Sequence, residues 1–362
     1  MRSPSLALAF LSVLALASPA RAAEATRILK AELPASVTGR FRVENLAGAM
    51  RIVPGAGDQV TAVASVHAES DTLAAMIRFE RVSEAGTPTL RVIYPLDEHG
   101  TLRYDPKKTD RSFLGLFGGG STTTKYDGRK VRISGSEGVV MYADVEIRVP
   151  SAPSLEAVFR NDVGRLHASG IAGKIRFDSS GGDIDLDHLK GEISADTGSG
   201  DVKAADLSGS FSCDTGSGNC TLTSFQGDRL KFDVGSGDVR VGSSQVRQIS
   251  ADTGSGDIRI SASDLESFAA DTGSGDVVLE GEGGRLAKVT ADTGSGDVTL
   301  RLAADATFEA RADQGSGDIR MEYRDAEAIV ERKQVVGYRR GDSRIRIDVS
   351  TGSGDLTIGP MR

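Results

Sequence analysis

The chain has 362 residues, with 44 Gly, 10 Pro and no Trp; at 39% hydrophobic and 26% charged it supports a sizeable core and excludes wholesale disorder. Its 43 basic and 51 acidic residues leave a net charge of −8, which argues against nucleic acid as a partner, because phosphate binding needs a basic surface. Four His and two Cys are too few for a zinc cluster or a multi-disulfide scaffold.

Residues 1–22 read as a secretory signal peptide. Met1 and Arg2 lead into an apolar run from Leu6 to Ala17, and Ala20-Arg21-Ala22 supplies the small-residue cleavage step. The run is too short to span a bilayer and no later stretch approaches the required length. No Cys follows the cleavage step, so a lipoprotein anchor is not indicated. The expectation is an exported chain, periplasmic or at the cell surface.

Residues 23–150 read as an N-terminal β region. Strands are expected over Val60–His67 and Thr89–Tyr94, with a short helix near Asp71–Met76. Residues 97–130 turn charged and rich in Gly and Thr around Phe113-Leu114-Gly115-Leu116-Phe117. That composition predicts a mobile insertion with an apolar tip, either a plain surface loop or a contact loop for a partner.

Residues 151–362 are organised by a repeat. Asp196-Thr197-Gly198-Ser199-Gly200-Asp201-Val202 recurs at Asp214, Asp252, Asp271 and Asp292, with looser copies at Asp178, Asp233, Asp313 and Ser350. The last polar position falls at 183, 201, 219 (Asn), 238, 257, 276, 297, 318 and 355, in steps of 18 to 21 residues and a final step of 37. The long step predicts one turn that has lost the phrase. Arg160-Asn161-Asp162-Val163-Gly164 reads as a decayed copy. Between phrases the apolar residues alternate, as at Leu230/Phe232, Val239/Val241 and Val277/Leu279, which is the pattern of strands with one buried face. Gly-Ser-Gly between two such runs predicts a bend, on the ground that Gly enters φ > 0 without penalty. One repeat cannot bury its apolar face alone, whereas stacked copies build a continuous core. A parallel β-solenoid keeps every copy equivalent. A β-sandwich or meander would need similar turns at both ends of each hairpin, and only one corner is invariant.

These phased copies behind a signal peptide resemble the bacterial putative-adhesin family of β-strand repeat proteins, a domain of unknown function. Phe41–Ile52 and Val145–Pro150 resemble its N-terminal part. The resemblance implies a solenoid-like all-β fold at the cell envelope and transfers no catalytic residue.

The same residues are compatible with several chemistries. With turns ~4.8 Å apart, Asp183, Asp201, Asp238, Asp257, Asp276, Asp297 and Asp318 would lie above one another, repelling by about 1 kcal/mol per pair in water. Backbone N–H groups of each residue's own corner could offset this. So could Ca²⁺ between turns, as in Gly-Gly-x-Gly-x-Asp rolls, although those have a nine-residue period. Residues 183–300 hold 21 acidic against 9 basic side chains, a net −12. No other cofactor is expected. Cys213 and Cys220 flank a corner at inward places equivalent to Ala195 and Val202; they read equally as a disulfide or as two small buried hydrophobes. Asp-Thr-Gly-Ser is also the aspartic-protease signature, but that mechanism needs two Asp sharing a proton, which five evenly phased copies do not provide. His67, His99, His167 and His188 share no motif, and Arg340-Gly341-Asp342-Ser343 reads as a turn. The expectation is an all-β chain: a parallel β-solenoid of about 18–21 residues per turn with irregular caps at both ends. Its role would be a non-catalytic adhesin-like scaffold or binding surface of the envelope, meeting protein or glycan. A Ca-dependent adhesive module is the alternative, and a polysaccharide-active β-helix enzyme a distant one.

Overall fold

A computed structural model describes residues 24–34, 39–84, 86–104, 121–150, 155–282 and 284–361. The expected signal peptide at 1–22 and the expected apolar tip at Phe113–Phe117 lie outside these residues. The repeat block is a parallel β-solenoid. Strand Val239–Thr253 shows why: Val239, Val241, Val246, Ile249, Ala251 and Thr253 are buried, and Arg240, Gln245, Gln248, Ser250 and Asp252 are exposed. Each turn contributes two runs that pair in parallel with the same runs of its neighbours. One register runs Phe159, Phe177, Ala195, Cys213, Phe232, Ala251 and Ala270. The adjacent inward row runs Ala157, Ile175, Ile193, Phe211, Leu230, Ile249 and Phe268. Large and small side chains trade places between the two rows, so the interior fills without widening the stack. Phe159 and Phe177 stack at 5.8 Å between ring centroids, and all the buried apolar residues form one cluster.

Corner geometry departs from the sequence expectation. None of the phrase glycines adopts a left-handed φ. They are glycine because of close approach: a Cβ on Gly200 would collide with the carbonyl oxygen of Gly182, and one on Gly256 with that of Gly237. The phrase Thr knits the same corner. Thr253 Oγ1 donates to Gly237 O at 2.8 Å and accepts from Gly256 N at 3.2 Å, and Thr197, Thr215, Thr272 and Thr293 repeat this pair of bonds. At the opposite corner the sequence varies but the conformation does not. Gly170, His188, Asp206, Ser224, Ser243 and Asp264 all have φ between 45° and 70°. Short polar residues tolerate this region better than other non-glycines, which is why no single letter marks that corner.

The stack begins before the repeat. Arg40–Ala47 pairs in parallel with Glu156–Val163, and Met50–Gly55 with Leu166–Ser169. The boundary expected at residues 150/151 therefore does not separate two sheets, and Phe41 packs edge-on against Phe159 at 5.8 Å. In these first turns buried amides replace the phrase Thr: Asn45 Nδ2 donates to Ala143 O and Asn161 Oδ1 at 2.9 Å, and Asn161 Nδ2 to Gly48 O at 2.8 Å. The inserted residues build the first cap. Strand Gln59–Ala68 lies antiparallel to both Ala25–Pro34 and Val139–Pro150, and Arg78–Glu84 forms a hairpin with Thr87–Ile93. The helix Asp71–Met76 is present, with Ser70 Oγ accepting from Leu73 N. Of the expected insertion 97–130, the described parts form strands Thr101–Arg103 and Ser121–Tyr126.

The other end contains a crossing that the spacing did not reveal. The 37-residue step is not a turn without its phrase. Residues Glu327–Glu331 and Gln334–Arg340 form an antiparallel hairpin laid on Phe308–Gln314. The chain then turns back, so that Ile345–Thr351 pairs on one side with Lys288–Thr293 and on the other with Phe308–Gln314. Leu356–Pro360 likewise lies between Val298–Leu302 and Ile319–Met321. The last turn in sequence is thus the last but one in space. Side chains account for the order. Ile345, Ile347, Val349, Leu356 and Ile358 are all buried and need covering on both sides, whereas Ala312, Gln314, Ile319 and Met321 sit half-buried in the outermost turn.

Candidate binding face

The corner acidic residues, for which backbone N–H bonds and Ca²⁺ were both open, form a ladder of backbone hydrogen bonds. Asp183 Oδ1 accepts from Asp201 N at 3.0 Å, Asp201 from Asn219, Asp238 from Asp257, Asp257 from Asp276 and Asp276 from Asp297. The row continues in spatial order through Asp355 to Asp318. Each carboxylate thus bonds the next turn's N–H rather than its own corner's. That difference explains why Asn219 substitutes freely, since its Oδ1 accepts from Asp238 N at 2.9 Å. Several remaining oxygens meet arginine: Arg240 on Asp238, Arg259 on Asp257 and Arg320 on Asp355. The N–H bond from Asp276 holds the Asp257 carboxyl below its usual range, while at Asp183 burial outweighs the equivalent bond and pushes it up.

A second acidic row stands beside it, and the sequence reading passed over it. The first Asp of each phrase has outward parity, so Asp178, Asp196, Asp214, Asp233, Asp252, Asp271 and Asp292 align in register. The repeat itself carried this signal, in the alternation of Asp with the buried Thr that follows. Arg176 pairs with Asp178 at 2.6 Å and with Asp196 at 2.9 Å. The next five are exposed and have no ion pair or side-chain hydrogen bond among the described residues. Partial burial, then the flanking carboxylates, raise the Asp214 and Asp271 pKa values. Beside the row the outward side chains are mostly small, Ser194, Ser212, Ser250, Ala269 and Thr290, with the exposed Lys231 between Ser212 and Ser250. The result is a trough. It holds about 690 Å³ along Asp252, Asp271 and Asp292 to the hairpin's Val336, whereas a separate hollow of about 670 Å³, lined by Ser194, Ser212, Arg229, Lys231 and Arg247, holds no Asp of the row.

Among the described residues, three metal-capable side chains converge only at Asp187, His188 and Asp206. There His188 Nδ1 lies 2.7 Å from Asp187, Nε2 lies 3.6 Å from Asp206, and the carboxylates raise the imidazole pKa. His67 stacks on Tyr142 at 4.6 Å. Cys213 and Cys220 form a disulfide across the corner, both sulfurs inside the stack. Arg340-Gly341-Asp342-Ser343 is a turn whose arginine lies over the Tyr323 ring and pairs with Asp325 at 2.7 Å. No helix among the described residues is long and apolar enough to cross a membrane.

Residues 190–359 match the family model Toastrack DUF4097. The repeat block is similar to Toastrack domains over this span. Its matched span holds most of the outward Asp row, the disulfide and the crossed C-terminal turns; Asp178 and the turns at 40–55 and 156–187 extend the same stack beyond it. Two solved structures also align. A putative cell adhesion protein from Clostridium sporogenes is 12% identical, with 94% of this chain and 100% of that one covered, at a TM-score of 0.20. A putative adhesin from Parabacteroides distasonis is 10% identical, covering 91% and 97%, at 0.29. Superpositions that loose say nothing about a shared ligand. No curated protein matches the chain.

Proposed function

We propose that this Toastrack-like chain is an exported, non-catalytic, adhesin-like scaffold of the bacterial cell envelope, and that its outward Asp row is the contact surface. One observation carries the reading. Five consecutive exposed carboxylates, Asp214 to Asp292, are held in register without an ion pair or side-chain hydrogen bond among the described residues, Lys231 and Arg176 acting on Asp214 only through space, although the row's mutual repulsion opposes folding. In the corner row, by contrast, the carboxylates accept backbone N–H bonds and three of them also meet arginine. A row without ion pairs, beside a floor of Ser, Ala and Thr interrupted by Lys231, suits a partner presenting regularly spaced cationic groups, on protein or amine-bearing glycan.

The test is co-sedimentation of the purified protein with isolated cell envelopes across a salt series. Wild type is expected to sediment at low salt and to be released as salt rises. The Asp252→Asn/Asp271→Asn/Asp292→Asn variant should stay folded and remain in the supernatant. Equal sedimentation of both, or of neither, would contradict the assignment.

A further inference from the structure

The crossed C-terminal turn creates a slot, bounded by the turn 288–302 on one side and the turn 308–321 on the other. We propose that residues 345–360 are an exchangeable turn, and that the slot of one molecule accepts these residues from a second copy of the chain. Both walls are built for a phrase-bearing turn. A Cβ on Gly352 would meet the carbonyl of Gly294, and one on Gly315 the carbonyl of Gly352, so the slot admits only a corner of matching glycines. Asp297 Oδ1 and Asp318 N lie at the two rims, each bonded to Asp355. Withdrawing the turn uncovers Val289, Ala291 and Leu300 on one wall and Phe308 and Ala310 on the other, all buried in the closed form. An apolar gap of this kind demands an occupant, and the side chains that fit it are those of Ile345, Ile347, Val349, Leu356 and Ile358.

The connection supports exchange. Four residues, Gly341 to Arg344, join the hairpin strand Gln334–Arg340 to Ile345. Two of them bend through the left-handed region, Gly341 at φ 64° and Ser343 at φ 56°. An opened hinge is extended and free of that bend. Residues swapped between identical copies make the same contacts they make within one, so only concentration and hinge conformation decide between the two forms.

Two chains with one added cysteine each, the Cys213–Cys220 bridge kept intact, test this: Thr299→Cys and Thr357→Cys, at half-buried positions that are direct partners across the slot. The chains are unfolded, mixed, refolded at high protein concentration and oxidised in air, and the products are mapped by mass spectrometry. The expected result is a covalent dimer joined through positions 299 and 357. In unmodified protein, sedimentation velocity should show a dimer after concentrated refolding that is absent after dilute refolding. Gly341→Ala should raise its share, because a Cβ there would lie 2.6 Å from Thr307 Cγ2 in the closed hinge. The proposal is overturned if the wild type refolds only to monomer at every concentration. It is also overturned if the 299–357 link forms only within a chain carrying both cysteines, or if Gly341→Ala leaves the dimer share unchanged.

Discussion

At the scale of single residues, the solenoid is limited by how closely its backbones approach. Gly256 and Gly135 are both glycines without a left-handed φ, but only the first has a neighbouring carbonyl where its Cβ would go. Gly256→Ala should therefore cost on the order of 4 kcal/mol in chemical denaturation, and Gly135→Ala should stay within about 0.5 kcal/mol of wild type. Equal losses would mean that backbone entropy, and not approach, selects glycine here. Asp271 makes the complementary case for charge. Its folded pKa is raised, so its favourable contribution is full below the unfolded carboxylate value of about 3.9 and is lost as pH rises through the folded value. Asp271→Asn should raise Tm at pH 7, and the gain should shrink toward zero below pH 4. A gain independent of pH would show that the neighbouring carboxylates are not its cause.

Among the elements, the corner is where sequence was most and least informative. The phased phrase announced a stack and its period, because Thr, Gly and Asp each meet a need that recurs on every rung. Inward places were readable by parity, down to the equivalence of Cys213 with Ala195 and Cys220 with Val202. The partners of each group were not. That a corner carboxylate serves the next turn's N–H is a fact about stacking distance, which period alone does not encode. The second corner escaped notice because conformation, not residue type, is repeated there. The disulfide closes a short corner loop, and chain-entropy arguments give roughly 2 kcal/mol for its removal. Cys213→Ala/Cys220→Ala should show about that loss without a change of fold. No loss at all would mean that the stack already fixes the corner in the unfolded ensemble's stead.

For the whole molecule, order in sequence and order in space coincide until the last two turns and then reverse. The more apolar turn takes the inner place and the less apolar one the end, where the hairpin Glu327–Arg340 covers its edge. Spacing could not show this, since a 37-residue step fits a degenerate turn as well as a hairpin followed by a return. The N-terminal cap was equally hidden, because Arg40–Gly55 joins the stack across about a hundred intervening residues. One measurement reaches the central claim: disulfide trapping between outward positions of the three final turns. Asp292 is the register partner of Ser350, and Ser350 of Asp313, so Asp292 and Asp313 stand two rungs apart. Asp292→Cys/Ser350→Cys should cross-link within one chain, and Asp292→Cys/Asp313→Cys should not. A link between 292 and 313 with none between 292 and 350 would place the turns in simple sequence order and contradict the crossed stack.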